Sequence, residues 1–370
     1  MQTMTMNGCG FSGERAQGIA LALCLAFAPA VHAQGQSDVT MRDSVQVQVG
    51  AMQKQKADVG NVSGSGQSQV RTDRTTQVQA GALNSQSLGA GNVDGRGSSK
   101  VDLRSATQVQ AGALSRQKAE IGNASGAGRS DVRAGDTTQV QAGALNNQTL
   151  GLGNASGNGQ SKVQSGSVTQ VQAGALNTQS LDAGNASGNS RSDVKLGGAV
   201  QVQAGALNRQ KAEIGNASGN GSSDVKTGTV TQVQAGALND QGAKIGNANG
   251  GQSKVVAGNV TQVQAGALNS QKTDIGNASN GAKSNVRVGG VTQVQAGSLN
   301  SQKVAIGNAA NGGSSNVTAG QITQVQAGAL NSQKLEIGNS KGGTTNVQVG
   351  GVTQIQGGAL GDQKIRIGNN

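Results

Sequence analysis

Apolar residues in this chain fall at every second position within short runs. Between Ala206 and Ile214, Asn208, Gln210, Ala212 and Ile214 share one parity, while Lys211 and Glu213 share the other. Ser223 to Thr227 alternates in the same way, and Val230 to Ala235 is a further run rich in Val and Thr. A period of two is that of a strand, and Gly every few residues disfavours helix. The pattern predicts short strands separated by turns such as Gly236 to Asn239.

The runs recur as a block. A marker glutamine returns at Gln46, Gln77, Gln108, Gln139, Gln170, Gln201, Gln232, Gln262, Gln293, Gln324 and Gln354, at 31-residue intervals except for two of 30. Each block opens on Ser-x-Val (Ser37 to Val39, Ser68 to Val70; Thr345 to Val347 in the last) and closes on Gly-Asn. A period of this size marks a solenoid, propeller or array. The expectation is an all-β fold: a parallel β-solenoid of eleven repeats of about 31 residues over residues 34–370. Each coil would be three short strands with three turns, or two longer strands forming an arch. Both shortened intervals fall in the Gly/Asn/Ser loop between blocks (Asn247 to Val255 and Asn339 to Val347), where a solvent-facing turn such as Ala217 to Gly221 tolerates deletion.

Two patterns bear on what faces inward. The apolar pair before Gly-Asn trades size between copies: Ala119 with Ile121 and Ala212 with Ile214, but Leu88 with Ala90 and Leu181 with Ala183. Such swaps suit a filled core, and Leu150 with Leu152 and Ile365 with Ile367 imply local repacking. In the Val-Thr-Gln-Val-Gln-Ala run both faces barely vary, Val263 changing only to Ile355 in the last copy. One face is expected to line the interior and the other to meet a second layer or another molecule, unless recent duplication alone keeps the copies alike. Stacked coils would set Gln232, Gln234, Gly236, Gln241, Gly246 and Asn247 against Gln262, Gln264, Gly266, Gln271, Gly276 and Asn277, with Asn269 in the turn. These would be ladders of the kind that stabilise parallel in-register stacks.

Composition adds a boundary. All the Phe, Cys, Pro and His residues lie within residues 1–33, and there is no Trp or Tyr. Arg15, the apolar stretch Ile19 to Phe27 and Val31-His32-Ala33 together read as a secretory signal peptide over 1–33. Its removal takes away one acid, Glu14, and one base, Arg15, and leaves the net charge at +11. Without Cys or His, nucleophilic triads and histidine metal sites are not expected beyond residue 33. Asp58, Glu120, Glu213, Asp274 and Glu336 form one repeated outward position, the signature of a solvated stripe, so no catalytic residue, metal or cofactor is expected. Lys272, Lys303, Lys334 and Lys364 also recur at one position and would form a basic row able to attract anionic polysaccharide, extracellular DNA or cell surfaces.

The run Gln264-Ala265-Gly266-Ala267-Leu268-Asn269-Ser270-Gln271 has the form Gln-x-Gly-x-x-Asn-x-Gln. It resembles the curlin repeat of bacterial functional amyloids, with Ser253 standing for the leading serine. Gln53, Ser115 and Gly361 replace the turn asparagine in three copies, and the period is longer than in that family. The resemblance implies a secreted, extracellular fibre subunit of a bacterial biofilm matrix or adhesion surface. The array carries no capping repeat of the kind solenoids use to stay soluble, so the expected partner is a further copy of the chain, end to end. The alternatives are a monomeric adhesin rod and, with a single threonine column in support, a binder of ice or another regular lattice.

Overall fold

Val, Thr and Ile at alternating positions, with Gly and Asn between the runs, leave each 31-residue block strands and turns but no helix. A computed structural model describes residues 31–32, 36–49, 54–80, 84–111, 114–142, 145–173, 176–204, 207–235, 238–265, 268–297, 299–328, 330–358 and 360–368. The described residues form a parallel β-solenoid. One coil runs Gln252–Ala265, Ser270–Ile275 and Ala278–Ser279, a strand of 14 residues, one of six and one of two. Each strand pairs in parallel with its equivalents one repeat before and after, Val225 with Val255 and Val255 with Val286. The 14-residue strands stack into a sheet of eleven rungs, and so do the six-residue strands. At the strand spacing of about 4.8 Å, ten steps give a rod roughly 48 Å long.

The coil has the three strands of one expected form, at unequal lengths. The first two strands read from the sequence run on as one in ten rungs and separate only as Ser222–Thr227 and Val230–Ala235 in the seventh. A change of phase still divides them: Ser223, Val225 and Thr227 are buried, then Val230, Gln232 and Gln234. Gly228 and Thr229 between them are not buried, so the inward parity shifts by one residue.

The inter-repeat loop is also more ordered than expected. Its first residue belongs to a narrow sheet in which Val62, Val93, Ala124, Ala155, Ala186, Ala217, Ala248, Ala278 and Ala309 form a buried column. Only Ser218, Gly219 and Asn220 of Ala217 to Gly221 are exposed. The shortened interval at Asn247 to Val255 is absorbed there, and the next strand regains its register with Gln252 opposite Ser222.

Ala119, Ile121, Leu150, Leu152, Leu181, Ala183 and Ile214 are all at 0% exposure, with Leu88 at 1%. The size swaps stack diagonally: Ala119 lies beside Leu88 and Leu150, and Ala183 beside Leu152 and Ile214. Most of residues 1–33, the segment expected to be a signal peptide, lies outside the described residues. Val31–His32 alone of it is described, pairing in parallel with Val62–Ser63.

Candidate interaction surfaces

The coil interior has an apolar pole and an amide pole. Val225, Ile245 and Ala248 occupy the first, and Gln232, Gln234, Asn239 and Gln241 the second, all buried. Burying a carboxamide is costly unless its donors and acceptors are met, and the stack meets them. Gln232 Nε2 donates to Gln201 Oε1 at 2.8 Å, Gln262 Nε2 to Gln232 Oε1 at 2.8 Å, and the column continues from Gln46 to Gln354. A second column donates from Gln241 to Gln210 at 2.9 Å and from Gln271 to Gln241 at 3.0 Å. The second proton of most of these amides crosses between sheets, as from Gln232 to the Gly242 carbonyl at 3.4 Å and from Gln241 to the Val263 carbonyl at 3.1 Å. These bonds tie the long strand to the six-residue strand where no aromatic side chain fills the space.

The third column is looser. Gln234 reaches Gln203 at 3.4 Å and Gln264 reaches Gln234 at 3.5 Å, while both amide atoms of Gln295 and Gln326 are buried without a partner among the described residues. At the Gly-Asn turn the backbone N–H of Asn247 donates to Asn216 Oδ1 and that of Asn277 to Asn247 Oδ1, both at 3.0 Å. Asn269 Nδ2 donates to the Ala296 carbonyl at 2.9 Å. Gly276 has φ +63°, and a Cβ there would come within 2.5 Å of Val317 Cγ2, so the turn needs glycine on both counts. Ser253 Oγ donates to the Gly215 carbonyl at 2.5 Å, which gives the leading serine a turn-closing role. Gly246 occupies the same turn with φ +64°; Gly236 and Gly266 lie outside the described residues.

Outward positions fall into two kinds. Along the first half of the long strand they are mostly polar or charged and change from coil to coil: Lys100, Asp131, Lys162 and Asp193 adjoin in one column. The six-residue strand is similar. Lys272, Lys303, Lys334 and Lys364 do stack in register, but two carboxylates on the same face pair with three of them. Lys272 pairs with Asp274 at 3.0 Å, and Lys303 and Lys334 both pair with Glu336, at 3.4 and 2.8 Å. Lys334 and Lys303 accordingly hold the Glu336 carboxyl below its usual range. Beside this face a groove runs along the rod over the Gly-Asn asparagines, edged by Asp58, Glu120, Asp182 and Glu213 and by Lys56 and Lys244. Burial and the neighbouring Glu213 raise the Asp182 pKa. Burial also pushes the Glu213 carboxyl up, but Lys211 and Lys244 outweigh it and hold that carboxyl low. The described residues contain no cluster of three or more His, Cys, Asp or Glu able to hold a metal.

The second half of the long strand is the other kind. Its outward columns are Thr231, Val233 and Ala235 and their equivalents, and none of these positions is charged in any coil. The valines from Val47 to Val325 are half-buried, Ile355 is 55% exposed, and most of the alanines are exposed. Past the alanines a leucine column follows: Leu114, Leu145, Leu176, Leu207, Leu238, Leu268, Leu299 and Leu330 are 40–45% exposed at φ 59–63°. That backbone region costs a residue with a Cβ roughly 1–2 kcal/mol, and glycine or asparagine would fit it better. The sequence left open which face of Val230 to Ala235 turns inward; the amides do, and the valines face out.

Comparison with protein-family models, with curated proteins and with solved structures returns no match to the chain.

Proposed function

We propose that the chain is a secreted structural protein whose coils add to one another to build an extracellular fibre of a bacterial matrix or adhesion surface, without catalytic role or cofactor. The observation that carries the reading is the translational identity of the rungs. The glutamine columns, the asparagine column and both wide sheets keep one register through every coil, so any rung is a template for any other. Wherever such a stack stops, its last rung leaves amide and backbone groups that an identical rung satisfies. The cover one rung gives the next is large: Ile337, with a rung beyond it, is 3% exposed, and Ile367, without one, is 60% exposed. The likeness of Gln264 to Gln271 to curlin repeats points the same way.

A monomeric adhesin rod that binds anionic polysaccharide or extracellular DNA through Lys272, Lys303, Lys334 and Lys364 is the weaker reading, because three of those four lysines are held in ion pairs with Asp274 and Glu336. Purified protein diluted from denaturant should form unbranched fibres, seen by electron microscopy, with a meridional reflection at about 4.7–4.8 Å. A protein that stays a soluble monomer at high concentration would sink the fibre reading.

A further inference from the structure

The uncharged face of Thr231, Val233, Ala235 and their equivalents lies on the outside of the coil, away from the amide and apolar interior. Inside, the amides knit the sheets; outside, the same strand presents valine in every coil but the last, where isoleucine stands. The outward columns of the first half of the long strand and of the six-residue strand each admit Lys, Arg, Asp or Glu somewhere along the rod. A solvated face has no reason to exclude charge, and contiguous exposed apolar strips of this kind mark contact sites.

We infer that this face docks against the same face of a second copy of the chain, side by side, so that two rods pair through a dry sheet-to-sheet interface. The area is sufficient. Three outward columns on a strand of about six residues span roughly 20 Å, and eleven rungs span roughly 48 Å, giving about 960 Å² per partner where a stable interface needs about 800 Å². The chemistry is self-complementary, since eight of the eleven rungs repeat the same Thr-x-Val-x-Ala profile, the others replace only with Val, Ile or Gly, and two such faces interdigitate from step to step of the repeat. The leucine column along its edge supports the same assignment: its side chains stay out of the core in a backbone conformation that favours glycine, so the fold alone does not account for them.

The inference deepens the fibre reading, but it concerns width where that reading concerns length. The test is mass per length by scanning transmission electron microscopy, with sedimentation velocity on material that stays soluble. The full chain is compared with a variant carrying Val140→Lys, Val171→Glu and Val202→Lys, whose alternating signs let neighbouring rungs attract while a buried apolar seam cannot form. A second variant, Leu145→Asn with Leu176→Asn and Leu207→Asn, removes the apolar edge with a residue that tolerates the left-handed backbone. The unsubstituted chain should show two rods side by side, the charged variant half that mass per length with an unchanged circular dichroism spectrum, and the asparagine variant a weaker pairing. Pairing without axial growth, seen as soluble side-by-side dimers that the charged variant abolishes, would support this inference while removing the fibre reading. Single rods from the unsubstituted chain, whether or not they bind ice or another lattice, would overturn it, as would a charged variant that keeps the full mass per length.

Discussion

From Ser161 to Ser165 the long strand turns Ser161, Val163 and Ser165 inward and Lys162 and Gln164 outward. From Val168 to Ala173 it turns Val168, Gln170 and Gln172 inward and Thr169, Val171 and Ala173 outward. One backbone and one ladder of hydrogen bonds carry both halves, yet after Val168 the second has its polar side in and its apolar side out. The first half follows the ordinary rule that charge belongs in water. The second obeys a rule available only to a stack: a buried amide is acceptable when an identical amide lies above and below it. What a rung hides there is therefore satisfied by its neighbours, and the outer side is released from solvation to become a contact face.

The sharpest way to break the contrast is to put a charge into the amide column. Gln170 donates to Gln139 Oε1 at 2.8 Å and to the Ser180 carbonyl at 3.3 Å, and accepts from Gln201 at 2.8 Å. Gln170→Glu buries a carboxylate against the Gln139 oxygen, and a loss of about 3–5 kcal/mol is expected at neutral pH. Burial raises the folded pKa of this Glu above its unfolded value. Its ionised form is thus penalised above the folded pKa, and the lost stability returns as pH falls through it, because the protonated acid donates to Gln139 as the amide did. Val171→Lys, one residue along, should cost less than about 1 kcal/mol in the unpaired rod. Urea melts at neutral and acidic pH measure both, and equal losses would erase the distinction between the sides.

This polarity was the least legible feature of the chain. The sequence carried the repeat, the strand period, the inward parity of Ala212 and Ile214, and the loop that absorbs the two deletions. It also showed that both faces of Val230 to Ala235 are constrained. It could not say which face is inside, because hydrophobicity along one strand argues for Val233 and only the stack argues for Gln232. The buried Ala217 column was hidden for a related reason: alanine flanked by Gly, Ser and Asn reads as turn chemistry. The lysine row was legible in register, whereas the ion pairs of three of its members with Asp274 and Glu336 needed the side-chain geometry.

A milder perturbation asks whether the amide column acts as a unit. Gln139→Met, Gln170→Met or Gln201→Met alone leaves a buried donor above and a buried acceptor below without partners, for about 1–3 kcal/mol per orphaned group. Changed together, the three leave orphaned amides only at the ends of the block, Gln108 and Gln232, although the cross-sheet bonds to the Thr149, Ser180 and Lys211 carbonyls are lost in the triple variant as in the singles. The triple variant should then lose much less than the sum of the singles, a coupling that thermal melts of the four proteins would read. Additive losses would mean that each amide is held by its cross-sheet bond alone, such as that of Gln201 to the Lys211 carbonyl at 3.3 Å.

The smallest effect lies on the six-residue strand, where the outward face follows the ordinary rule imperfectly. Asp182 sits opposite Glu213 in the next rung, and burial together with that neighbour raises its pKa, against the pull of Lys211 and the Ser180 hydroxyl. A carboxyl with a raised folded pKa weakens the fold above that pKa, and the penalty disappears as pH falls through it. Asp182→Asn should therefore stabilise the rod at neutral pH by up to about 0.5 kcal/mol, with the advantage fading in acid. Glu213, held low by Lys211 and Lys244, contributes with the opposite sign: its stabilisation is present above the unfolded pKa and lost as pH falls through the folded one. Melting temperatures of Asp182→Asn and the unsubstituted chain across the acidic range separate the two carboxyls, since only the Asp182 contribution vanishes in the variant. A variant less stable than the parent at neutral pH would show that the Ser180 hydrogen bond outweighs burial at this position.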